Sequence, residues 1–558
     1  MDIYPLKSQY GIFDKVIIHM DLDDSSEKNI TLYVTKEEHI LFEMMFETDS
    51  TTRDVELSDL YRETGGFGVV AKIRREDGQI VHLETAFDIV TKPNCILRYG
   101  FLSDFDGTDK ENLDLDWLRK CHINMIQFYD WSYRPNHVVS EDDEYADLMG
   151  KHIKKSVVLD KINTAKKYGM KSTAYIAVYA ASEHYAKNHP KEILLNSAKK
   201  PFVFIKTFHI MDISIGSSWR NHIISEFENA VSKMHFDGIH MDTYGFPKTA
   251  YSCVDGNLKR VCLENEFETL INDTYESVSR IHKNPCLVFN NVGNWPVKKT
   301  ASSDVAAVYI EVWPPYDRYF HIAELIKDAK EYSNNSKTVI LAAYLKTFRE
   351  GNRDKAIYSA LILTAAIASM GADHLLLGEE GAVLTQGYYS DYTKLTSKEM
   401  ERIRRYYDFL VQYEGLLYSF FLEDVSMTHI GWDNYEYKCL SHEVSSSGES
   451  GKIWTIIRES SHLKIISLIN LCNQTNDYWN MDKEEPICVK DITFQVSVDY
   501  DVLGIYVASP DCKSLKPTKI EFKEVENDKG RFVEFTVSEL KIWSLVYIRL
   551  GEETLKFC

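Results

Sequence analysis

Hydrophobic and polar positions follow three successive patterns along the 558 residues of the chain. Up to about residue 95, short apolar runs recur at roughly ten-residue spacing between Asp, Ser and Gly, which is typical of an all-β sandwich. Similar runs return after about residue 420. We therefore predict an N-terminal immunoglobulin-like β-sandwich over 1–95 and a C-terminal β-sandwich over 421–558, neither of them with concentrated chemistry.

Between these regions, over 96–420, apolar strands alternate with amphipathic helices. The strand candidates are ILRYGFLSDF, INMIQFYDW, STAYIAVYA, FDGIHMDTYG, CLVFNNVGNW, AAVYIEVW, TVILAAYL and ADHLLLGE. The helix-length segments are 147–168, 217–234, 264–283, 317–334, 353–369 and 397–415, and the helices after the first and fifth strands are predicted to be short. Eight such units, with strands apolar along most of their length, predict a central (β/α)₈ TIM barrel. A doubly wound open sheet is the alternative, but it usually carries a Gly-rich phosphate loop, and the chain has no G-x-G-x-x-G or G-x-x-x-x-G-K-[ST] motif.

Composition narrows the classes of partner. The chain has 84 acidic and 64 basic residues, a net charge of −20, which argues against a nucleic-acid or anionic-membrane partner because phosphate contacts require clustered Lys and Arg. Its 34 Tyr and 9 Trp suit sugar or peptide surfaces, although they also suit β-sandwich cores. An acidic protein rich in these rings is compatible with a neutral substrate.

The first residues of the chain and its cysteines indicate the cellular compartment. Residues 1–20 lack a basic segment followed by an apolar run, so we predict a cytoplasmic protein unless a secretory signal was removed. The apolar run 364–370 is too short to span a membrane. The ten cysteines form no C-x-x-C pair and several lie in apolar runs, which predicts reduced, buried thiols.

The segment HFDGIHMDTYG, residues 235–245, is the strongest candidate for chemistry. With the side-chain period of a strand, Ile239 and Met241 face one side while His240 and Asp242 face the other. A carboxylate at the end of a buried strand costs several kcal/mol to desolvate unless it is used. The alternative is an N-cap for a following helix, but the next residues, Tyr-Gly-Phe-Pro, do not begin a helix.

Functional residues of a barrel collect where the carboxyl ends of the strands form one mouth. The residues at these ends are Asp104, Asp106, Tyr129, Asp130, Trp131, Tyr179, Asp242, Asn290, Asn291, Trp295, Glu311, Trp313, Glu379 and Glu380. Carboxylates, amides and rings with almost no Lys predict a pyranose site, although about half of these groups are expected to be structural. The predicted sugar contacts are Tyr129, Asp130, Trp131, Tyr179, His240, Asn290, Asn291, Trp313 and Glu379.

Two of these carboxylates form a candidate catalytic pair. Glycosidic cleavage needs one ionised and one protonated carboxyl group. Glu311 ends the sixth strand in an apolar setting with Trp313, which should raise its pKa and suit a general acid/base. Asp242 lies beside His240 and Tyr244, whose hydrogen-bond donors should keep it ionised and suit a nucleophile.

A metal site is the main chemical alternative at this mouth. His209-x-x-Asp212 and His240-x-Asp242 could supply ligands, as in barrel hydrolases that use a metal ion. Such sites recruit several His from different strand ends, and the other strands offer none. We therefore predict neither a metal nor a cofactor.

Several segments together resemble glycoside hydrolase family 66. They are FYDWSYRPN (128–136), IAVYAA (176–181), HIMDIS (209–214), FDGIHMDTYG (236–245), LVFNNVGNWP (287–296) and YIEVWPP (309–315). The family contains endo-dextranases and cycloisomaltooligosaccharide glucanotransferases. The resemblance implies that Asp242, in D-G-x-x-x-D-T, is the nucleophile and Glu311, in E-V-W, the acid/base of a retaining cleavage of α-1,6-glucosidic links. These roles agree with those argued from the residues.

The resemblance leaves the reaction and the substrate open between alternatives. Cyclising members resemble dextranases with a carbohydrate-binding module inserted in the barrel, and the interval 315–370 has no room for one, so hydrolysis is favoured over cyclisation. Members that act on dextran are typically exported, so a cytoplasmic protein would take isomaltooligosaccharides in place of dextran. Another retaining α-glycosidase, or a carbohydrate-binding protein without catalysis, are the remaining hypotheses.

Overall fold

The computed structural model describes residues 1–23, 28–57, 64–92, 96–107, 112–431 and 433–551, except for the side chain at position 255. The predicted boundary at residue 95 and the predicted end of the last domain, 552–558, lie outside the described residues.

The centre of the molecule is a sheet of eight parallel strands. In spatial and chain order they are Tyr99–Leu102, Met125–Phe128, Lys171–Ala177, Gly238–Asp242, Cys286–Val292, Ala307–Glu311, Thr338–Ala342 and Asp373–His374. The first and eighth strands meet, because the Tyr99 N–H donates to Asp373 Oδ2 at 2.8 Å and the Phe101 N–H to the Leu377 carbonyl at 3.0 Å. The sheet therefore almost closes on itself, which confirms the predicted barrel. Its eighth strand is two residues long, shorter than predicted.

Side chains along each barrel strand point alternately into two apolar layers, one between the strands and the helices and one inside the barrel. Ile239 and Met241 belong to the layer between strands and helices, as their period predicted, while Tyr99 and Tyr309 fill the barrel interior. The fourth strand begins at Gly238, where an added Cβ would lie 1.9 Å from the Cys286 carbonyl oxygen of the next strand. Only glycine allows this approach.

The helices lie around the barrel or next to it. They are Leu113–Lys120, Lys155–Lys167, Glu183–Asn188, Ser218–Met234, Leu263–Ser279, Val297–Thr300, Tyr319–Tyr332, Thr347–Glu350, Arg353–Ser369, Ser397–Gln412 and Glu414–Leu417, with 3₁₀ turns at Pro190–Glu192, Val254–Gly256 and Tyr389–Asp391. The helix Arg353–Ser369 has 13 of its 17 residues buried, because it contacts the C-terminal strand Leu463–Asn470 as well as the barrel. None of the helices formed by the described residues is long and apolar enough to cross a membrane.

One predicted helix, 147–168, is wrong in its first half. A hairpin of Glu144–Ala146 and His152–Lys154 occupies that region, and the helix begins only at Lys155. Gly150, with φ of 90°, forms the turn of the hairpin, a conformation that a helix cannot contain. The other short strands around the mouth are Ala180–Ala181, Val203–Phe204, Phe208–Ile210, Thr249–Ser252, Lys259–Cys262, Ala382–Val383 and Thr393–Lys394.

The N-terminal strands form two sheets around one apolar core. The three-stranded sheet contains Asp2–Pro5, Ile17–Asp21 and Thr52–Glu56, and the five-stranded sheet contains Tyr10–Gly11, Ile80–Val90, Gly65–Arg75, Lys28–Lys36 and His39–Thr48. Side chains such as Ile18, Leu32 and Phe87 are buried between them. These sheets pack at the amino-terminal end of the barrel, where Arg98, just before the first barrel strand, pairs with Asp88 at 3.0 Å.

The C-terminal strands form a seven-stranded sheet and a four-stranded sheet. In chain order they are Glu423–Asp424, Tyr437–Cys439, Val444–Ser445, Ile453–Ser460, Leu463–Asn470, Val489–Ser497, Val502–Ala508, Thr518–Ile520, Phe522–Asn527, Gly530–Leu540 and Trp543–Leu550. A second core, with Ile466, Phe494 and Phe535, lies between the two sheets. Period-two burial along these strands is what the alternating sequence predicts.

Candidate active site

A cavity of about 1320 Å³ opens at the carboxyl ends of the barrel strands. Its walls come from strand ends, from the hairpin around 203–208, from the loop 385–389 and from residues 478–481 of the C-terminal part. Asp242, Asn290 and Glu311, at the ends of the fourth, fifth and sixth strands, all line it. The cavity therefore lies where parallel strands of a barrel bring their exits together.

One amide group joins the two predicted catalytic carboxylates. The Asn290 Nδ2 donates to Asp242 Oδ1 at 2.8 Å and to Glu311 Oε2 at 3.0 Å. Two tyrosines complete the set, since the Tyr175 hydroxyl donates to Asp242 Oδ2 at 2.6 Å and the Tyr344 hydroxyl to Glu311 Oε1 at 2.5 Å. Each of the four carboxylate oxygens thus accepts at least one hydrogen bond from the protein, which holds both groups in fixed orientations.

Burial changes the protonation of this pair. It raises the pKa of Asp242 to about 7, and the nearby charge of Glu311 adds to the rise, against the hydrogen bonds from Asn290 and Tyr175 that lower it. Burial also raises the pKa of Glu311, in the predicted direction. The sequence predicts that hydrogen-bond donors favour the ionised form of Asp242; in the structure the donors do lower its pKa, but burial raises it by more. Two carboxylates this close titrate as a coupled pair, in which the charge of one raises the pKa of the other.

Tyrosine rings form much of the wall around the pair. Tyr129 stacks on Tyr389 with ring centroids 4.5 Å apart, and the Tyr309 and Tyr389 hydroxyls are 2.6 Å apart. Tyr388 and Tyr389 come from the loop after the eighth strand. The strand pattern of the sequence does not point to these two tyrosines or to Tyr175 as cavity residues. For the two in the loop, the available signal is the Gly-Tyr-Tyr run that follows a strand candidate.

His240 lies on the cavity floor between tyrosines. Its Nδ1 is 2.9 Å from the Tyr99 hydroxyl, and its ring lies 4.9 Å from that of Tyr309. Burial lowers its pKa to about 3, so the imidazole is neutral. Its hydrogen bond with Tyr99 links two strands across the barrel interior. Because His240 also lines the cavity, the predicted sugar contact stays a prediction.

Five of the predicted sugar contacts line the cavity, namely Tyr129, Asp130, His240, Asn290 and Trp313. Asp130 stands at the exit of the second strand with φ of 50°, and burial raises its pKa to about 7. Trp313 is 41% exposed, which leaves a ring face open to the cavity. A carboxyl group and an indole placed in this way can hydrogen-bond hydroxyls and pack on the C–H face of a sugar.

The other four predicted sugar contacts lie outside the lining of the cavity that the described residues form. Trp131 is buried in the core against Phe236, with ring centroids 4.8 Å apart. The Tyr179 hydroxyl accepts from the Tyr244 N–H at 2.7 Å and donates to the Phe246 carbonyl at 2.8 Å. These two predictions fail because both residues follow the end of a strand, where the chain turns and the period of two no longer holds.

The remaining two, Asn291 and Glu379, serve the backbone. Asn291 faces away from the mouth, donates to the Tyr309 carbonyl at 2.8 Å and accepts from Thr300 at 2.6 Å. Glu379 accepts from the backbone N–H of Ser103 and from that of the next residue, so it fixes the loop after the first strand. Their positions explain why a strand-end amide or carboxylate need not face a substrate.

Of the alternative metal ligands, Asp212 is occupied by structural hydrogen bonds. Asp212 accepts hydrogen bonds from the Ser214 N–H at 3.0 Å and from the Ser252 hydroxyl at 2.5 Å. Among residues 1–551, apart from the segments that are not described, no group of three or more His, Cys, Asp or Glu could hold a metal ion.

The sequence matches the model of "Glycosyl hydrolase family 66" over residues 7–547. The chain belongs to this family. A cycloisomaltooligosaccharide glucanotransferase of Niallia circulans is 21% identical over 86% of this chain and 64% of its own length, so the chain spans less than two thirds of that relative. A dextranase of Streptococcus salivarius is also 21% identical, over 87% of this chain and 67% of the relative.

A solved structure has a similar fold. It is a cycloisomaltooligosaccharide glucanotransferase of Paenibacillus sp. in complex with cycloisomaltoheptaose, with a TM-score of 0.87 and 20% identity over 98% of this chain and 99% of that one. The family that the sequence motifs predicted is confirmed by the match to the family model.

Proposed function

We propose that this family 66 protein is a retaining glycosidase that cleaves α-1,6-glucosidic linkages of dextran or isomaltooligosaccharides. In this proposal Asp242 is the nucleophile and Glu311 the general acid/base. The observation that carries it is the shared Asn290 nitrogen, 2.8 Å from one carboxylate oxygen and 3.0 Å from the other.

This geometry supports a double displacement. Two oxygens bound to one nitrogen cannot be further apart than the sum of the two bond distances. For these two nearest oxygens the limit lies below the separation of about 6.5 Å at which inverting carboxyl pairs begin, since an inverting enzyme must fit a water molecule beside the sugar. Retaining pairs are separated by about 5–5.5 Å, which the shared amide allows.

The residues then act in two steps. In the first, Asp242 attacks the anomeric carbon while Glu311 gives its proton to the leaving oxygen, which forms a glycosyl ester and frees one end of the glucan. In the second, Glu311 takes a proton from water, whose oxygen displaces Asp242 from the same carbon. Asn290 and Tyr175 hold the Asp242 carboxylate in its attacking orientation, and Trp313 and Tyr129 pack against the pyranose rings.

The substrate class rests on the family and its relatives. The matched relatives are named for dextran and for cyclic isomaltooligosaccharides, both of which are built on α-1,6-linked glucose. The acidic chain is compatible with such a neutral sugar. Hydrolysis is favoured over cyclisation because the chain between Glu311 and Asp373 contains only barrel elements, with no inserted domain. Cyclisation is the second candidate, since two of the relatives are glucanotransferases.

We also propose that the flanking sheets form β-sandwich domains over 1–95 and 421–558 around a catalytic barrel over 96–420. Their separate apolar cores support this division.

Digestion of dextran and of linear isomaltooligosaccharides tests the proposed function. Chromatography should show new reducing ends, and proton NMR should show the α-anomer of the product forming first. A first-formed β-anomer would contradict retention. A panel of nitrophenyl glycosides gives the comparison: faster release from the α-galactoside than from the α-glucoside would favour another α-glycosidase, and sugar binding without reducing ends would favour a binding protein.

A further inference from the structure

One wall of the cavity comes from the C-terminal part of the chain, for which the sequence predicts no concentrated chemistry. Residues 478–481, which we call the C-terminal wall, lie in the connection between the strands Leu463–Asn470 and Val489–Ser497. They line the same cavity as Glu311 and Trp313.

Polar contacts fix the C-terminal wall on the barrel. Asp477 accepts two hydrogen bonds from Arg318 Nη1, at 2.7 and 2.9 Å, and the Trp479 indole donates to the Tyr316 carbonyl at 2.7 Å. The Lys346 N–H donates to Asn480 Oδ1 at 3.0 Å. Since the wall is held at several points, its side chains are preorganised for a ligand and need not be ordered by it.

The anchoring residues place the C-terminal wall on the acid/base side of the cavity. Tyr316 and Arg318 follow the sixth strand, which ends at Glu311, and Lys346 follows the seventh. The opposite wall, with Phe204 and Tyr244, follows the third and fourth strands and therefore adjoins Asp242. A general acid must lie beside the leaving oxygen, so the wall next to it faces the part of the glucan that leaves.

Two residues of this wall offer groups that suit a sugar. Met481 is 47% exposed and presents an apolar surface at the cavity, as Trp313 does with 41%. Asn480 uses its amide oxygen for the Lys346 N–H, while its amide nitrogen finds no acceptor within the described part of the chain. An apolar surface beside an amide donor is the combination that binds a pyranose ring.

We propose that Asn480 and Met481 bind the glucose units on the leaving-group side of the cleaved bond, and that they thereby set how strongly longer substrates are preferred. This inference rests on the proposed function, since it assumes that Glu311 is the acid/base. It makes the C-terminal part of the chain a determinant of specificity.

Two substrates distinguish binding on the leaving-group side from a general effect on catalysis. Isomaltohexaose has glucose units on both sides of the cleaved bond, whereas α-isomaltotriosyl fluoride has a leaving group of one atom that cannot reach the C-terminal wall. The variants are Met481→Ala and Asn480→Asp, the latter keeping an acceptor for the Lys346 N–H. Each should lower kcat/KM for isomaltohexaose about ten-fold more than for the fluoride, mainly through KM.

Matched variants test whether an effect comes from unfolding or from the loss of the apolar side chain. Met481→Leu keeps the apolar surface and should keep the preference for isomaltohexaose, and Met481→Gln, of similar length but polar, should lose it. Met45→Ala removes a methionine that is 73% exposed on the N-terminal strand His39–Thr48, far along the chain from the site, and should change neither rate. Melting temperatures within a few degrees of the wild type would show that the variants are folded.

The outcomes distinguish this inference from the function beneath it. Equal losses on the two substrates, or no loss on isomaltohexaose, would overturn the role of the C-terminal wall while leaving the proposed function in place. A wild-type protein that cleaves neither substrate would overturn the proposed function, and the inference with it.

Discussion

Asp242 and Glu311 accept hydrogen bonds from one and the same atom, the Nδ2 of Asn290, at 2.8 and 3.0 Å. This relationship couples the two carboxylates in distance, orientation and charge. Asn290 neither exchanges a proton nor forms a bond with the sugar. We nevertheless expect its loss to lower the rate of the reaction strongly, because it positions both carboxylates.

Replacing Asn290 by Ala should lower kcat roughly 10- to 100-fold. A hydrogen bond to a charged group contributes about 1.5–3 kcal/mol, and each 1.4 kcal/mol corresponds to a factor of ten in rate. The melting temperature should change little in comparison, because the cavity leaves room for water. Steady-state kinetics on isomaltooligosaccharides and thermal melts would measure both.

The neighbouring amide gives the matched control. Asn291→Ala removes bonds to Tyr309 and Thr300 in the buried layer, so it should cost about 1–3 kcal/mol of stability while leaving the pH dependence of kcat unchanged. If Asn291→Ala reduced kcat more than Asn290→Ala did, the distinction between the two faces of the fifth strand would be wrong.

The pH profile of kcat/KM should have two limbs. The pair must hold one proton, so activity falls when it gains a second one and also when it loses the last. Because burial raises the pKa of Asp242 to about 7 and that of Glu311 in the same direction, the last proton leaves near pH 7, and activity should decline as the pH rises through that value. A plateau from pH 7 to pH 9 would contradict this assignment.

Tyr175→Phe should move the alkaline limb to higher pH by about one unit. Its hydroxyl donates to Asp242 and lowers the pKa of that group, so its removal makes the pair hold its proton more strongly. Tyr344→Phe should act in the same direction through Glu311. The profiles of kcat/KM against pH for the two variants would show the shift.

Tyr179→Phe is the control for this experiment. Tyr179 itself lies outside the cavity lining, and its hydroxyl binds the backbone of Tyr244 and Phe246. The variant should therefore lose stability while its pH limbs stay where those of the wild type are. A shift as large as that of Tyr175→Phe would mean that loop geometry, not the direct hydrogen bond, sets the pKa.

Much of the fold followed from the periodicity of the chain. Fully buried strands such as Thr338–Ala342 have both faces covered, which produces apolar runs that are easy to recognise. The bounds predicted for the helix Arg353–Ser369 agree with the structure. The hairpin before Lys155 was missed because its turn depends on one glycine. The cytoplasmic location remains a prediction.

The candidate site was predictable only where strand periodicity reaches it. Asp242 and Glu311 are the last residues of their strands, so their orientation followed from the alternation before them. The sequence predicts Tyr179 as a cavity residue, whereas Tyr175 lies there, because the third strand ends at Ala177 and the chain then turns. The C-terminal wall reaches the cavity through tertiary contacts more than 100 residues apart, such as that of Lys346 with Asn480, which no local pattern encodes.

The assignment of Asp242 as nucleophile is tested most directly by trapping the glycosyl ester in the Glu311→Gln variant. Fluoride leaves without help from an acid, so α-isomaltotriosyl fluoride should load Asp242, while the ester persists because no base activates water. Mass spectrometry of the digested protein should find one trisaccharide on the peptide that contains Asp242. Release of fluoride without any adduct, or an adduct on a different residue, would contradict the assignment.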